Sequence, residues 1–471
     1  MIANAIRDSM SAWVVTGGKT NPVAAMKGFV SSLKDTASRQ AIAAAGGGTA
    51  GYYDVTPGDV RHQLNEEYRE DAKGLALKAW EAWNAIGQAS ENMNRIAVFE
   101  KLKSEGATDA EAAFQAMDLM DFSMRGDWVA ARWLATTVPF LNARLQGLYK
   151  LGRSYRANKI GFAVRGSVIA AATLAIAAAN WDDDRYEELP EWDKDTYYHV
   201  WVGDTHIRIP KPFEVGAIFS TLPERLARFI GGKDDPEKFG EAIYRGFSDT
   251  FAFDPTPQLF RPLLEQYANK NFFTGSPIES FYQQDLLPGH RTRAGTSAMS
   301  RELGAAFPEA VSPVRLDALL RGYLGTLGTT IMMASNIVDE VISDTPTPTK
   351  RIDEIPVVRR FIKTDPPKYT RFIDDFYDMR EEVTQIVRSA KRLAGEGNPE
   401  AAYKLLAENP KAAALYTLAN RTGKRMADFS KMMQAVRADK TMRPDEKRRR
   451  LDEITVARNA LARRAVEAAR Q

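Results

Sequence analysis

The spacing of apolar positions predicts helices over most of the chain. From residue 59 to residue 104, apolar side chains recur at three- and four-residue steps, which is the period of one helical face. Glu105-Gly106 ends this run, because glycine readily adopts the left-handed conformation that terminates a helix. Thr108 and Glu111 then have the spacing of a capping box, which starts the next helix. The pattern therefore predicts a mostly α-helical protein.

One stretch, residues 197–210, departs from the helical period and alternates apolar and polar side chains. Gly203-Asp204 lies at its centre and suits a two-residue turn, so we expect a β-hairpin insertion. The alternation predicts one buried, apolar face and one exposed, polar-aromatic face. The apolar face would hold Tyr198, Val200, Val202, Ile207 and Ile209. The other face would hold His199, Trp201, His206 and Arg208.

Residues 160–181 form an apolar segment rich in alanine. Its core, residues 168–179, has twelve residues without a charge, and Arg165 and Asp182 bracket it. A helix that spans a membrane needs about 20 apolar residues. The segment therefore predicts a helix buried in the protein. Insertion into a membrane in a second, refolded state stays open on this one sequence.

Changes in composition along the chain predict four regions. Residues 1–57 are punctuated by glycines, and we expect a loosely structured arm. Residues 58–230 would form a helical body that contains the hairpin. Residues 231–368 are rich in proline and aromatic residues and would wrap over neighbours, around one helix at 313–342. Residues 369–471 would form a charged, helical region. The prediction is an elongated, multi-helix protein with long connections.

Composition narrows the chemistry that the chain can perform. Its 471 residues include 64 basic and 61 acidic ones, a balance that does not suit nucleic-acid binding by the whole molecule. The absence of cysteine excludes disulfides, thiolate catalysis and cysteine-based zinc sites. Basic residues outnumber acidic ones locally in residues 443–470, which either contact phosphate or form a solvated helix with intrahelical ion pairs. The candidate DNA or phosphate contacts are Arg443, Lys447, Arg448, Arg449 and Arg450.

Three short motifs resemble ligand sites, and each has a better explanation. Residues 17–20 (Gly-Gly-Lys-Thr) end like a phosphate-binding loop, but Trp13 stands where that loop requires a glycine. His199 and His206 share a hairpin face without an obvious third metal ligand, so we expect exposed sheet histidines. Residues 182–188 lack the spacing of a calcium loop and suit an acidic turn that caps or pairs with neighbours. We expect no metal, no cofactor and no catalytic set, and therefore a protein that is not an enzyme.

A set of short motifs occurs in order between residues 94 and 377, and none of them is catalytic. They are 95–99 (RIAVF), 120–126 (MDFSMRG), 138–147 (VPFLNARLQG), 189–195 (LPEWDKD), 208–216 (RIPKPFEVG), 312–315 (SPVR), 321–328 (RGYLGTLG) and 355–359 (IPVVR). Together they resemble a domain of the large polyvalent proteins of tailed phages and of their internal virion (ejection) proteins. The chain departs from the largest of these by showing no recognisable transglycosylase, protease or polymerase segment.

The resemblance implies a structural protein that is packaged in the capsid and delivered with the genome. In short-tailed phages such proteins assemble near the portal and extend into the host envelope as a conduit for DNA. The expected locations are therefore the virion interior and, after ejection, the periplasm or inner membrane. The expected partners are copies of itself, as in a ring, other ejection or portal proteins, double-stranded DNA bound without specificity, and the host membrane. The candidate assembly surface consists of Trp201, Phe251, Phe253, Phe272 and Phe273.

Two other functions stay open on the sequence. One is a polyvalent-protein module that is injected with the genome and acts in the host cytoplasm, where it protects DNA or binds a host target. The other is an envelope-active enzyme that uses glutamate or aspartate as its acid. Localisation after infection separates the first from the structural role, and zymography on peptidoglycan tests the second.

Overall fold

The protein is mostly α-helical, as predicted, and has one small three-stranded sheet. The computed structural model describes residues 2–34, 36–44, 71–119, 141–203, 205–251, 259–272, 277–279, 281–284, 286–293, 295–342, 346–355, 358–368 and 370–470. The strands are β1 Tyr197–Val202, β2 Thr205–Pro210 and β3 Ile362–Lys363, in the order β1-β2-β3.

The described helices form two groups in chain order. The first group is α1 Ile2–Val15, α2 Pro22–Leu33, α3 Ala37–Ile42, α4 Asp71–Ser104, α5 Asp109–Met117, α6 Leu141–Ala157, α7 Lys159–Ala179, α8 Asp184–Glu187, α9 Glu191–Thr196, α10 Glu214–Gly216, the π-helical Ala217–Thr221, α11 Leu222–Ile230 and α12 Pro236–Phe251. The second group is α13 Arg261–Ala268, α14 Phe281–Gln284, α15 Ala298–Ala306, α16 Pro313–Ile342, α17 Arg371–Gly395, α18 Pro399–Glu408, α19 Ala412–Ala438 and α20 Pro444–Arg470.

The chain divides into two compact units. Unit 1 comprises Met1–Asp182, Trp192–Trp201 and Ile207–Asp254. Unit 2 comprises Asp183–Glu191, Val202–His206 and Pro255–Gln471. The units alternate along the sequence between residues 182 and 207.

Local sequence signals set several helix ends. Thr108 accepts a hydrogen bond from the Glu111 backbone N–H at 3.2 Å, as the predicted cap requires. Gly106 has a φ of 95°, a conformation that glycine adopts without a steric penalty, and it follows the end of α4. Asn21 caps α2, whose first residue is Pro22.

The N-terminal region forms short helices where the structure describes it. Helices α1 to α3 all contact α4. Ala5, Ala25 and Met93 form a buried hydrophobic cluster between α1, α2 and α4. Gly28 makes the approach of α2 to α4 close, because a Cβ at that position would overlap the Met93 carbonyl oxygen. The apolar face of α4 in residues 86–102 therefore packs against helices α1 to α3, which precede it in the chain.

Gly28→Ala is expected to lower the free energy of unfolding of unit 1 by about 1–3 kcal/mol, because the α4 backbone must move. Gly152 lies exposed on α6 with open space where a Cβ would be, so Gly152→Ala is expected to be neutral or to stabilise by up to about 1 kcal/mol. Denaturant unfolding of the two variants measures the difference. Equal effects would contradict the close packing of α2 on α4.

The hairpin lies where the alternation predicts it, but the burial of its faces is largely the reverse of the prediction. His199, His206 and Arg208 are buried, whereas Val202 and Ile209 are exposed. The polar side chains can be buried because they have partners: His199 Nε2 lies 3.1 Å from the Asp193 carbonyl oxygen, and Arg208 pairs with Asp193. The expectation of exposed sheet histidines is therefore wrong.

Helix α7 also differs from its prediction. One stripe, which includes Phe162, Ile169 and Thr173, is buried, and the first two pack with Val14 of α1. However, only 28 % of its most apolar 18-residue window is buried. The expectation of a buried helix is wrong for most of its circumference, because the protein covers only one side.

Unit 2 ends in a helical bundle. Helices α17, α19 and α20 pack around Phe376, and α19 and α20 share a second cluster that includes Met433 and Leu451. Helix α16 has the expected bounds, and Gly325, with a φ of 52°, interrupts its helical geometry.

Candidate functional site

The motifs at 189–195 and 208–216 meet in unit 1 through buried charges. Helix α9 contributes Asp193 and Asp195, strand β2 contributes Arg208, and Lys211 follows that strand. Helix α11 and the turn after it complete the set. We call these residues the hairpin network: Asp193, Asp195, Arg208, Lys211, Glu224, Arg225, Arg228 and Asp234.

Arg225 is the centre of the hairpin network. Its side chain is 2 % exposed and binds two carboxylates, Asp195 at 2.7 Å and Asp234 at 3.3 Å. Arg228 shares Asp234, at 3.1 Å. Thr221 donates its hydroxyl to the Asp195 carbonyl oxygen at 2.9 Å, so α9 is held at both a side chain and its backbone.

The other half of the hairpin network fixes strand β2. Arg208 Nη1 lies 2.7 Å from Asp193 Oδ1, and its guanidinium also stacks on the Tyr197 ring at 4.5 Å. Lys211 Nζ pairs with Glu224 and donates to the Lys194 carbonyl oxygen at 2.8 Å. The network therefore joins the hairpin to the helices before and after it.

The hairpin network balances four cations against four carboxylates, and these ion pairs all lie inside unit 1. Buried ions cost desolvation free energy, which their mutual attraction and hydrogen bonds must offset. Such a set is stable only when every member is in place. It therefore fixes the register of the hairpin against α9 and α11.

A second group of acidic residues in unit 1 includes Glu214, which belongs to the motif at 208–216. Asp8 of α1 lies close to Glu214 of α10 and to Glu91 of α4, and all three are carboxylates. Burial, reinforced by the charge of Glu214, raises the pKa of Asp8 to about 7. Asp8 is therefore largely protonated below neutral pH in the folded protein.

This pKa predicts that unit 1 loses stability as pH rises. Between pH of about 4 and about 7, folded Asp8 keeps a proton that the unfolded chain releases. The full shift corresponds to about 4 kcal/mol, which partial solvent access reduces to about 2 kcal/mol. Asp8→Asn is expected to remove this loss between pH 5 and pH 8, as measured by denaturant unfolding. Asp109→Asn, at an exposed position, is the control, and parallel pH profiles for wild type and Asp8→Asn would contradict the assignment.

A second network lies in unit 2, around Glu279. This carboxylate is fully buried and pairs with Arg291 at 3.0 Å and with Arg315 at 2.9 Å. Ser312 donates its hydroxyl to the other carboxylate oxygen at 2.5 Å. Ser312 and Arg315 are the first and last residues of the motif at 312–315, so this motif also acts through a buried acid. We call Glu279, Arg291, Ser312 and Arg315 the Glu279 network.

Burial alone would raise the pKa of Glu279. The hydrogen bonds from Ser312 and Arg315, with the charges of Arg315 and Arg291, outweigh it and hold the pKa of Glu279 below its usual range. Asn269, in the left-handed conformation, bonds the Glu279 backbone in both directions, at 2.8 and 2.9 Å. Glu279 is thus held ionised and fixed in place.

The basic residues predicted to contact DNA have different surroundings. Lys447 is buried and donates to the Arg437 carbonyl oxygen at 2.9 Å, so its ammonium group caps the end of α19. Arg448 pairs with Glu354 at 2.7 Å. Arg443, Arg449 and Arg450 are exposed, and Arg450 lies 3.0 Å from Glu453. DNA contact through α20 stays a prediction that now concerns these three exposed arginines.

The predicted assembly residues are only partly described. Trp201 is half-buried and stacks on His199, and Phe272 is exposed. Phe253 and Phe273, and the side chain of Phe251, lie outside the described residues.

The sequence analysis did not identify an exposed apolar surface on and beside α13. Its members are exposed and recur at helical spacing: Leu259, Phe260, Leu263, Leu264 and Tyr267. Tyr267 is 93 % exposed, whereas Pro262 on the opposite side packs against Gly322 of α16. The signal that could have found this surface is the four-residue period that starts at Leu259. We call these five residues the α13 face.

Residues of the three short ligand-like motifs make hydrogen bonds and ion pairs within the protein. Residues 17–20 connect α1 to α2 without the strand that a phosphate-binding loop requires, and Lys19 donates to Gln115 at 2.6 Å. Asp183 caps α8, and Glu188 pairs with Arg463 at 2.9 Å. Across the described part of the chain, no three His, Asp or Glu side chains are placed to hold a metal ion.

Both networks and the α13 face lie in a segment that has a family match. Residues 183–358 match the family described as large polyvalent protein associated domain 38. The match confirms the resemblance drawn from the motifs and indicates a phage polyvalent protein. It includes the motifs at 189–195, 208–216, 312–315 and 321–328. Comparisons with curated proteins and with solved structures found no match.

Proposed function

We propose that this protein is a structural internal virion protein of a tailed phage. It is packaged in the capsid and assembles with copies of itself and with other ejection or portal proteins. The assembly is part of the conduit that carries DNA from the portal into the host envelope. The observation that carries the proposal is the α13 face, a continuous exposed apolar surface inside the segment with the phage-associated family match.

The α13 face suits a permanent protein interface. Leucine, phenylalanine and tyrosine side chains at successive turns can pack into a partner and give up their contact with water. Tyr323 donates to the Leu259 carbonyl oxygen at 3.0 Å, and Arg315 donates to the Gln266 carbonyl oxygen at 2.8 Å. These bonds hold both ends of the α13 face on the body of unit 2, so its side chains meet a partner in a fixed arrangement.

In this proposal the two buried networks are scaffolding and not a reacting centre. Their carboxylates are held ionised or paired by arginine and lysine, which suits positioning better than proton transfer. The hairpin network locks β2 to α9 and α11, and the Glu279 network ties Glu279 to Arg315 while Asn269 holds its backbone. Each unit is thereby a rigid block for assembly.

The copy number in purified phage particles tests the proposal. Wild-type protein is expected in several copies per particle. Leu263→Glu places a charge in the α13 face and is expected to lower the copy number at least about tenfold. Tyr403→Glu, at an exposed position on α18 outside that face, is the control and is expected to be packaged normally.

Localisation after infection tests the second half of the proposal. The protein is expected in the envelope fraction of infected cells. Recovery in the cytoplasm alone would contradict a conduit and would support the module that protects DNA or binds a host target. Equal packaging of Leu263→Glu and Tyr403→Glu would contradict assembly through the α13 face.

A further inference from the structure

Residues 128–181 have an unusual charge pattern. They contain seven lysine and arginine residues and no aspartate or glutamate, although the chain as a whole has nearly equal numbers of both signs. Three of these cations, Arg153, Arg156 and Lys159, are exposed around the corner between α6 and α7. Arg153 pairs with Asp118, which follows α5, so the positive charge that the corner presents comes mainly from Arg156 and Lys159.

Aromatic and aliphatic side chains are exposed among these cations. Tyr149 lies under the Arg153 guanidinium and Tyr155 lies under the Lys159 ammonium group, each at 5.8 Å from ring centroid to cation. Both tyrosines are exposed, and Ile160, the second residue of α7, is 79 % exposed. Tyrosine with arginine or lysine is the combination that anchors proteins at the boundary between lipid headgroups and acyl chains.

Beyond the corner, α7 continues as an apolar surface. The helix is 21 residues long and apolar enough to cross a membrane, and only a minor part of its most apolar window is buried. Val164, Val168 and Leu174 are exposed on it, and no charged residue lies between Gly166 and Trp181. A core helix of a globular protein would bury most of these positions. The opposite stripe stays packed on α1 and Phe219.

We propose that the α6–α7 corner and the exposed face of α7 dock onto an anionic lipid bilayer. The cations of the corner bind lipid phosphates, and the apolar face lies in the acyl-chain boundary while the Phe162 stripe stays on unit 1. A second copy of the chain is a poor occupant, since two such corners would bring Arg156 and Lys159 of one copy close to the same cations of the other, and the one acid paired at the corner, Asp118, is already bound to Arg153. DNA would leave the apolar face in water.

The proposal deepens the envelope location in the proposed function, but the binding itself does not depend on packaging. Flotation of the full chain with vesicles is the direct test. The chain is expected to float with vesicles of phosphatidylethanolamine and phosphatidylglycerol and to bind phosphatidylcholine vesicles at least about tenfold less. The double variant Val164→Glu/Val168→Glu is expected to lose at least about tenfold in binding to the anionic vesicles.

Val456→Glu is the matched control, because Val456 on α20 is 54 % exposed and Val168 is 53 % exposed. It is expected to float like the wild type, and circular dichroism verifies that all variants fold. Arg156→Glu/Lys159→Glu is expected to lower binding to anionic vesicles by at least about tenfold. Absence of wild-type flotation, or equal losses for the α7 variant and Val456→Glu, would overturn the proposal. The proposal would also be overturned if the chain bound no vesicles and the Val164→Glu/Val168→Glu variant changed from an oligomer to a monomer, because the α7 face would then contact another copy of the chain. Absence of the chain from phage particles would refute packaging and leave this result standing.

Discussion

Arg225→Ala is expected to lower the free energy of unfolding of unit 1 by about 3–5 kcal/mol. The guanidinium is 2 % exposed and is shared by Asp195 and Asp234. Removing it takes one cation from each of these two carboxylates, although Asp234 still pairs with Arg228. The hydroxyl of Thr221 would still bind the α9 backbone, but both carboxylates would lose a buried positive charge in a low-dielectric interior.

Hydrogen exchange measured by mass spectrometry can assign this loss to unit 1, and denaturant unfolding measures its size. Arg156→Ala is the control, because Arg156 is exposed on α6 in the same unit and is expected to change stability by less than about 0.5 kcal/mol. If both variants lost the same amount, the hairpin network would not be a stabilising element of the fold.

The second large effect is expected for Glu279→Gln, which keeps the size of the side chain and removes its charge. Arg291 and Arg315 then lose the carboxylate between them, and we expect unit 2 to lose about 3 kcal/mol or more at pH 7. The pKa of Glu279 is held below its usual range, so its contribution is present at neutral pH. It is lost as pH falls through the pKa of the folded protein. The difference between variant and wild type should therefore shrink in acid.

Unfolding at pH 7 and at pH 3 measures both parts of this expectation. Glu302→Gln, on the exposed side of α15, is the matched control and is expected to leave stability unchanged at both values. A Glu279→Gln variant as stable as the control at pH 7 would show that this carboxylate does not hold the motif at 312–315 in place.

The sequence predicts the bounds of a helix well where a single local feature, such as a capping residue or an apolar period, determines them. Thr108 caps α5, and α16 has the bounds that its apolar period indicates. These elements depend on side chains within a few residues, so neighbouring positions contain the necessary information. The hairpin follows for the same reason, because Gly203 adopts the conformation that its turn requires.

Burial was harder to predict because it depends on residues far apart in the chain. Alternation assigns the apolar face of the hairpin to the core, but Arg208 and His199 are buried beside Asp193 of α9. The same limit applies to Glu279, whose partners Arg291 and Arg315 are 12 and 36 positions further along the chain. In α7, the apolar sequence alone cannot show which faces the protein covers.

Several motifs that carry the family resemblance contribute residues to buried ion-pair networks, although none of these motifs resembles a catalytic site. Asp193, Asp195, Arg208 and Lys211 belong to one network, and Ser312 and Arg315 belong to another. Their spacing in the sequence carries no chemistry until the folded chain brings their partners to them. In our proposal they make rigid blocks, while the α13 face supplies the assembly surface.

The most direct test of the account is quantitative mass spectrometry of purified phage particles, before and after DNA ejection is triggered. The account predicts several copies of the chain in full particles and a loss of most copies from emptied ones. Absence from full particles, or complete retention after the DNA has left, would contradict a packaged protein that leaves with the genome.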